Sequence, residues 1–554
     1  MKAFRVAPSK TVLNSAPSTG LFHGCSLTGR YFHADRHKIH HTLPGVKDTK
    51  DDVDALRRLT SGRWLWREEE QLTCRYVKFE LQELLDIAAS VVGAQSCAQV
   101  LKASEGQYNK VFLLTMDNGR EIIAKLPNPN AGRPHFTTAS EVATMDFLRN
   151  VLNLPVLRVY AWCSRATNNP VGAEYILMEK QPGVMLSDLV LQVVDFEKTL
   201  ATTKFTGFGS FGRKIENTNF AIGPTNHRAF CDFGRGSLEI DRGPWASAIE
   251  FATAVAKREI ASVKGGLKYP LMPEGLFYGP RQYQPMASKK LSALHNYLKV
   301  ATYTLPENSI SHASVLWHGD LNLQNIFVDP KEPTRILGII DWQSVSLCPL
   351  FTQATRPAFL EYDGPLPETL DKVRLPENFE SLSPAEQQKA KALHQAQTLH
   401  NLYLARSRQA NPLVFEAIQS QKTLRHQISV IPGLTIMDYE PCLNNLLRDI
   451  QKEWPSIVGP ESDGASSIPC PLQFSPDEVQ EQERDEELWA QGVRLMEEFT
   501  SDTGCFKHWD GRVNEQDYEL SRKQLDDGVE RFLQREARSE EERREWLEAL
   551  PFVD

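Results

Sequence analysis

His318, Asp320 and Asn325 stand in the spacing H-x-D-x-x-x-x-N, and Asp341 ends an apolar run farther along the chain. A carboxylate able to accept a proton, an amide and a second carboxylate make up a phosphoryl-transfer set. Mg²⁺ prefers carboxylate and amide oxygens together with substrate phosphates in an octahedral shell, so Asn325 and Asp341 would leave positions open for a nucleotide. Asp320 would face an incoming hydroxyl as its proton acceptor. Taken singly, Asp and Asn also fit ordinary turn positions. The combination of His, two Asp and an Asn at these places favours phosphotransfer.

The flanking residues say how such a set is held. Val315-Leu316-Trp317 precedes the motif, Ile326-Phe327-Val328 follows it, and the turn formers Pro330-Lys331-Glu332-Pro333 separate that run from Ile336 to Ile340. This reads as a loop feeding a β-hairpin. A hairpin brings the start of its first strand near the end of its second, so Asn325 and Asp341 converge.

A second wall is readable upstream. Lys110–Met116 and Glu121–Leu126 flank Asp117-Asn118-Gly119, a tight-hairpin signal because Asn-Gly tolerates positive φ, and this puts Lys125 inside a strand. A helix expected to begin near Ser140-Glu141, with Val142, Met145 and Leu148 on one face, offers Glu141 as the partner that would hold Lys125 over phosphates. The stretch Ser104 to Asn109 lies where a phosphate-covering loop would be. Gly106 is its only glycine, so contacts there would be looser or come from Tyr108 and Asn109; a simple turn fits equally well. Tyr175–Glu179 reads as a buried strand stopping before Pro182-Gly183. It is either a connector between lobes that offers backbone at Glu179 to an adenine ring, or an ordinary strand end.

These motifs resemble the aminoglycoside phosphotransferase and choline-kinase-like branch of the protein-kinase-like superfamily: His318-Gly-Asp320 through Asn325, then Ile340-Asp341-Trp342, preceded in order by Lys125 and Glu141. More narrowly, Thr60-Ser-Gly-Arg-Trp64, Gly106-Gln-Tyr-Asn-Lys110, Asp241-Arg-Gly-Pro-Trp245 and Ile340-Asp-Trp-Gln343 resemble the fungal altered inheritance of mitochondria protein 9 family, from about Asp51 onward. The resemblance implies an α+β, bilobal protein-kinase-like fold with a small β-rich N-lobe and a larger, mainly helical C-lobe. It implies ATP and Mg²⁺ in the cleft, Asp320 as catalytic base, Asn325 and Asp341 as metal ligands, and Lys125 paired with Glu141 on the nucleotide. The acceptor would be a small hydroxylated molecule. The poor glycine loop motivates a rival, a catalytically weak nucleotide-binding pseudokinase or scaffold.

Asp232-Phe233-Gly234 spells a protein-kinase metal motif but precedes the Asp320 loop, so it reads as coincidence. Nothing after Asp341 resembles an activation segment ending in Ala-Pro-Glu, which argues against a protein kinase.

The 554 residues, 41% of them hydrophobic, suffice for a large core. The expected divisions are a transit peptide over 1–34, an N-terminal extension and N-lobe over 51–182, a C-lobe over 183–457 and charged C-terminal helices over 472–554 packed on the C-lobe with their charged faces in solvent. A net charge of −9 and pI near 5.9 argue against nucleic acid as a partner. No apolar run is long enough for a transmembrane segment. The nine cysteines are scattered singly, which fits free thiols. Residues 1–34 hold no Asp or Glu but carry Lys2, Arg5, Lys10 and Arg30, a composition expected of a mitochondrial transit peptide. His33, His37, His40 and His41 are irregularly spaced and read as a solvated segment, not a metal site. Between Val184 and Gln282 the turn-rich sequence suggests short strands and loops, then a helix from Trp245 to Ala261. Helices are also expected over Met286–Ala301, Pro384–Gln409 and Tyr439–Glu453.

Overall fold

A computed structural model describes residues 40–44, 50–59, 62–103, 106–180, 189–213, 220–268, 277–306, 309–329, 331, 335–362, 364–367, 369–459, 468–505 and 511–552. The candidate transit peptide, the Pro182-Gly183 break and nearly all of the Pro330–Pro333 turn lie outside these residues.

Alternating burial along Asn109–Met116 places Phe112, Leu114 and Met116 on one face, the pattern of a half-buried strand. Six strands form the N-lobe sheet: β1 (His40–Pro44), β2 (Cys97–Lys102), β3 (Asn109–Met116), β4 (Glu121–Pro127), β5 (Val159–Cys163) and β6 (Tyr175–Glu179). Their spatial order is β1-β2-β3-β4-β6-β5, every pairing antiparallel. The β3–β4 hairpin turns as expected at Asp117-Asn118-Gly119, but only Gly119 has positive φ (78°). The Asp117 carboxylate instead accepts the amides of Gln95 and Ser96, tying the turn to the sheet edge. Helix α1 (Leu81–Val91) buries Leu81, Leu84, Leu85 and Ala88 against Phe112, Leu114, Ile122 and Leu126. That occupied face sends the Lys125 side chain to the opposite one.

Helix α2 (Phe136–Asn150) starts four residues before the expected Ser140. Buried Thr137 and Thr138 break the apolar period that would have announced it. A larger departure is α3 (Leu189–Thr202), a helix where the sequence suggested only strands and loops. Its Val190, Val193, Val194 and Phe196 read locally as strand formers, but packing against Trp317, Trp342 and Leu404 overrides that preference. The expected short strands do follow, as Ser210–Arg213 paired with Phe220–Gly223.

In the C-lobe, α4 (Ala248–Lys264) begins three residues after the expected Trp245. Trp245 pairs its backbone with Phe208, and Ser247 caps the helix by accepting from the Glu250 amide. Helices α5 (Ala287–Thr304), α6 (Pro384–Ala410) and α7 (Glu440–Val458) lie close to their expected spans. The charged C-terminal stretch forms α8 (Pro476–Thr503), α9 (Tyr518–Glu536) and α10 (Glu540–Ala549). These three carry a buried face opposite the charged one: Phe499, Phe532 and Trp546 share a core with Leu65, Trp66 and Phe277. Arg63–Trp64 pairs with Arg512–Val513 as a two-stranded ladder, which fastens the N-terminal extension to these helices. The whole is a bilobal α+β fold, with a small sheet-rich lobe and a larger, mainly helical one.

Candidate active site

The expected hairpin is present: β7 (Ile326–Val328) pairs antiparallel with β8 (Ile336–Ile339), Ile326 opposite Ile339. The Ile340 amide donates to the Asn325 carbonyl at 2.9 Å, so Asn325 and Asp341 are held at the same end of the ladder. Trp342 anchors this end. It is fully buried, donates Nε1–H to the Ile339 carbonyl at 3.0 Å and meets the His318 ring edge-on at 4.6 Å.

His318 has both ring nitrogens committed. Nε2 bonds the Ile340 carbonyl at 2.8 Å, which requires a proton there, and Nδ1 accepts the Asp320 amide at 3.3 Å. The histidine thus joins the Asp320 loop to the Asp341 strand end. Asp320 is then aimed by two amides: Asn322 Nδ2 donates to Oδ1 at 2.9 Å and Asn325 Nδ2 to Oδ2 at 3.2 Å. Asn325 Nδ2 also donates to the Asp320 carbonyl at 2.9 Å, so its amide oxygen is the atom left to serve as a ligand. Asn322 was not singled out in the sequence, although an Asn two residues past the base, capping the turn Leu323–Asn325, was a visible signal. Burial, and next the nearby Asp341 charge, push the Asp320 carboxyl above its ordinary value; His318 and the two amides partly offset this. A base raised in this way is better matched to a hydroxyl proton near neutral pH.

Asp341 adopts φ 65°, the left-handed region where a non-glycine residue is uncommon. Its side chain is 42% exposed. Strain of this kind is retained where the surroundings impose it, and here it turns the carboxylate out of the ladder into the cleft. Lys125 Nζ lies 3.6 Å from Asp341 Oδ1 and 2.6 Å from Glu141 Oε1. Burial disfavours the lysine charge, but the Glu141 and Asp341 carboxylates outweigh it and raise its pKa. Lys125, Glu141, Asp320, Asn325 and Asp341 are therefore brought to one cleft.

The remaining candidates sit differently. The Tyr108 ring lies under the Arg228 guanidinium at 3.9 Å, and Asn109 Nδ2 donates to Gln343 Oε1 at 2.7 Å. Gln343 Nε2 in turn donates to the Ala131 carbonyl at 2.9 Å. Tyr108 and Asn109 thus reach across to the C-lobe, and Gln343 is an interlobe tie to which sequence reading gave no separate role. Gly106 is exposed, and a Cβ there would meet nothing within 4 Å, so packing does not demand glycine. The Glu179 carboxylate accepts from the Arg158 amide at 2.6 Å and Arg149 at 3.0 Å, and its own amide donates to the Arg158 carbonyl at 2.9 Å. Its side chain and amide therefore belong to the sheet. Asp232 of the Asp-Phe-Gly tripeptide pairs with Arg228 at 2.7 Å. Among the described residues no group of three or more His, Cys, Asp or Glu could hold a metal ion. The cleft offers one amide and one carboxylate instead, a donor set that fits Mg²⁺ shared with phosphates and water.

A lysine–glutamate pair faces an Asp-Asn-Asp cluster across the cleft, the arrangement that phosphoryl transfer calls for. The family model described as the phosphotransferase enzyme family matches residues 99–352, a span that holds all five cleft residues. A subtelomeric hrmA-associated cluster protein of Aspergillus fumigatus is 32% identical over 462 residues, covering 72% of this chain and 86% of the relative. The mitochondrial altered inheritance of mitochondria protein 9 of Saccharomyces cerevisiae is 22% identical over 539 residues, 78% of this chain and 84% of the relative. A putative aminoglycoside phosphotransferase structure from Ralstonia eutropha aligns over 76% of this chain and 99% of its own at 16% identity, with a TM-score of 0.33. The chain belongs to the phosphotransferase enzyme family.

Proposed function

We propose that the chain transfers the γ-phosphoryl group of ATP, with Mg²⁺, to a hydroxyl of a small molecule, and that it does so in mitochondria. The observation that carries this reading is the placement of Lys125 between Glu141 and Asp341, in the cleft where Asn325 aims Asp320. Asp320 orients the acceptor hydroxyl and takes its proton as the oxygen bonds to the γ-phosphorus and the bond to the ADP oxygen breaks. Lys125, fixed by Glu141, holds the nucleotide phosphates. Mg²⁺ held by the Asn325 amide oxygen and Asp341 would supply charge neutralisation on those phosphates. A metabolite screen with γ-labelled ATP tests the reading: label should enter a small molecule with the wild-type chain and not with Asp320→Ala. The location is supported by the mitochondrial names of several relatives and by the acid-free N-terminal composition. A fluorescent fusion of residues 1–50 that stays cytosolic would overturn it.

The commitment of Tyr108 and Asn109 to Arg228 and Gln343 favours a second reading, a nucleotide-binding protein with little turnover. Nucleotide binding without transfer, together with equal rescue of a deletion strain by wild type and Asp320→Ala, would support it.

A further inference from the structure

Strand β5 (Val159–Cys163) is one edge of the N-lobe sheet: β6 lies on one side of it, and no strand of the described residues lies on the other. Alternate backbone N–H and C=O groups of such a strand point outward without a ladder partner, which makes it a template for one more strand. Beside this edge lies a groove of about 920 Å³, walled by α2, β5 and the hairpin of Ser210–Arg213 with Phe220–Gly223. Its walls are tied to each other. The Asn226 amide donates to Ser210 Oγ at 2.8 Å and Asn226 Nδ2 to the Phe136 carbonyl at 3.0 Å. The Phe147 ring of α2 meets Phe211 at 4.9 Å and Phe220 at 5.2 Å. The groove is therefore formed before anything enters it.

Trp162 and Phe136 line the groove and are 42% and 46% exposed, so apolar surface is left open there. Ser140 lines it too. That residue is 6% exposed, and its hydroxyl has no hydrogen-bond partner among the described residues, so it has a bond to give an occupant. Arg158 and Arg165 stand just outside the two ends of β5, both exposed and both lining the groove. The Arg158 guanidinium lies over the Tyr160 ring at 5.4 Å, and neither arginine makes an ion pair among the described residues. The third lining arginine, Arg149, is paired with Glu179 at 3.0 Å. Asp146, the carboxylate among the described lining residues, stands on α2 and accepts from Asn150 at 2.7 Å.

We propose that this edge and groove dock an extended, acidic segment of a partner protein. The segment adds a strand to β5, sets an aromatic or branched side chain against Trp162, and carries Asp or Glu near both ends for Arg158 and Arg165. Main-chain pairing supplies affinity in such an arrangement, and the side-chain pockets supply specificity. A second copy of β5 paired antiparallel would bring the arginines of the two copies together, a like-charge contact that opposes it. None of the five cleft residues lines the groove, so the proposal stands apart from the phosphotransfer reading.

The test selects binders to the full chain from a phage-displayed library of random peptides of about eight residues, long enough to span β5. Enriched sequences should carry an aromatic or branched apolar residue between acids. A synthetic, dye-labelled copy of the best should bind the full chain in solution, read by fluorescence anisotropy. Arg158→Glu combined with Arg165→Glu, both at exposed positions, should weaken that peptide by about tenfold or more, because two surface ion pairs become repulsions. Trp162→Ala should weaken it several-fold. N-methylation of the amides along one edge of the peptide should abolish binding, and along the other edge should leave it nearly unchanged, because only one edge faces β5. No enrichment, enrichment of neutral or basic sequences, an affinity unchanged in the double variant or in Trp162→Ala, or equal tolerance of methylation on both edges would overturn the proposal. A dimer in solution that the same peptide dissociates would make a second copy the occupant and overturn it as well.

Discussion

Lys125→Met, Glu141→Gln and the double variant form a cycle whose outcome follows from the geometry. The charges are 2.6 Å apart, with side chains 7% and 4% exposed. At an effective dielectric constant of about 20 their attraction is roughly 6 kcal/mol, opposed by the desolvation of both ions. Removing one partner of a buried pair costs roughly 3–5 kcal/mol, because the other charge is left behind. The two single variants are not equivalent. Glu141→Gln leaves Lys125 with Asp341 at 3.6 Å, so its loss should fall at or below the lower end of that range. Lys125→Met leaves Glu141 alone, and burial already raises that carboxyl. An isolated Glu141 with a raised folded pKa costs nothing below its unfolded value, and its cost grows as pH climbs toward the folded value. The Lys125→Met deficit should therefore be small near about pH 5 and larger near about pH 8. Urea unfolding at both pH values measures this. The double variant should be more stable than the sum of the singles predicts by about 2 kcal/mol. Additivity within roughly 0.5 kcal/mol, or a deficit that ignores pH, would refute the reasoning.

Gln343→Leu removes the hydrogen bonds to Asn109 and Ala131 that tie the lobes. Two such bonds support an increase of roughly tenfold in the KM for ATP, read by steady-state kinetics, with less change for the acceptor. Glu197 is fully buried, accepts from the Tyr403 hydroxyl at 2.8 Å, and burial raises its pKa to about 8. Folded Glu197 therefore holds a proton that the unfolded chain releases, so stability is lost as pH rises from the unfolded value through about 8. The ceiling is roughly 5 kcal/mol, and Glu197→Gln should be more stable than wild type at alkaline pH with the gap closing in acid, as thermal melts would show. Asp320 protonation should end activity as pH falls, in a range above the ordinary aspartate value of 3.8, and a kcat/KM profile reads it.

What the sequence made legible follows from the physics of each part. Asp320, Asn325 and Asp341 were readable because their spacing and the flanking apolar runs fix a loop and hairpin locally. Lys125 and Glu141 were readable as a pair because a hairpin and a helix place them on known faces. Gln343 acquires meaning only from tertiary contacts with Asn109 and Ala131. Helix α3 was missed because its valines favour a strand until the C-lobe core encloses them. Which residues of the helices after Pro476 are buried was not readable, since their aromatic positions are sparse and meet only in the folded core with Trp66 and Phe277.

The central claim is that Asp320 serves the transfer step and not nucleotide binding. Single-turnover transfer of γ-phosphate, measured with ATP binding in the same Asp320→Asn preparation, tests it most directly. ATP binding should stay close to that of wild type while the transfer rate falls by roughly 10² to 10⁴. An Asp320→Asn chain that transfers phosphate at the wild-type rate would contradict it.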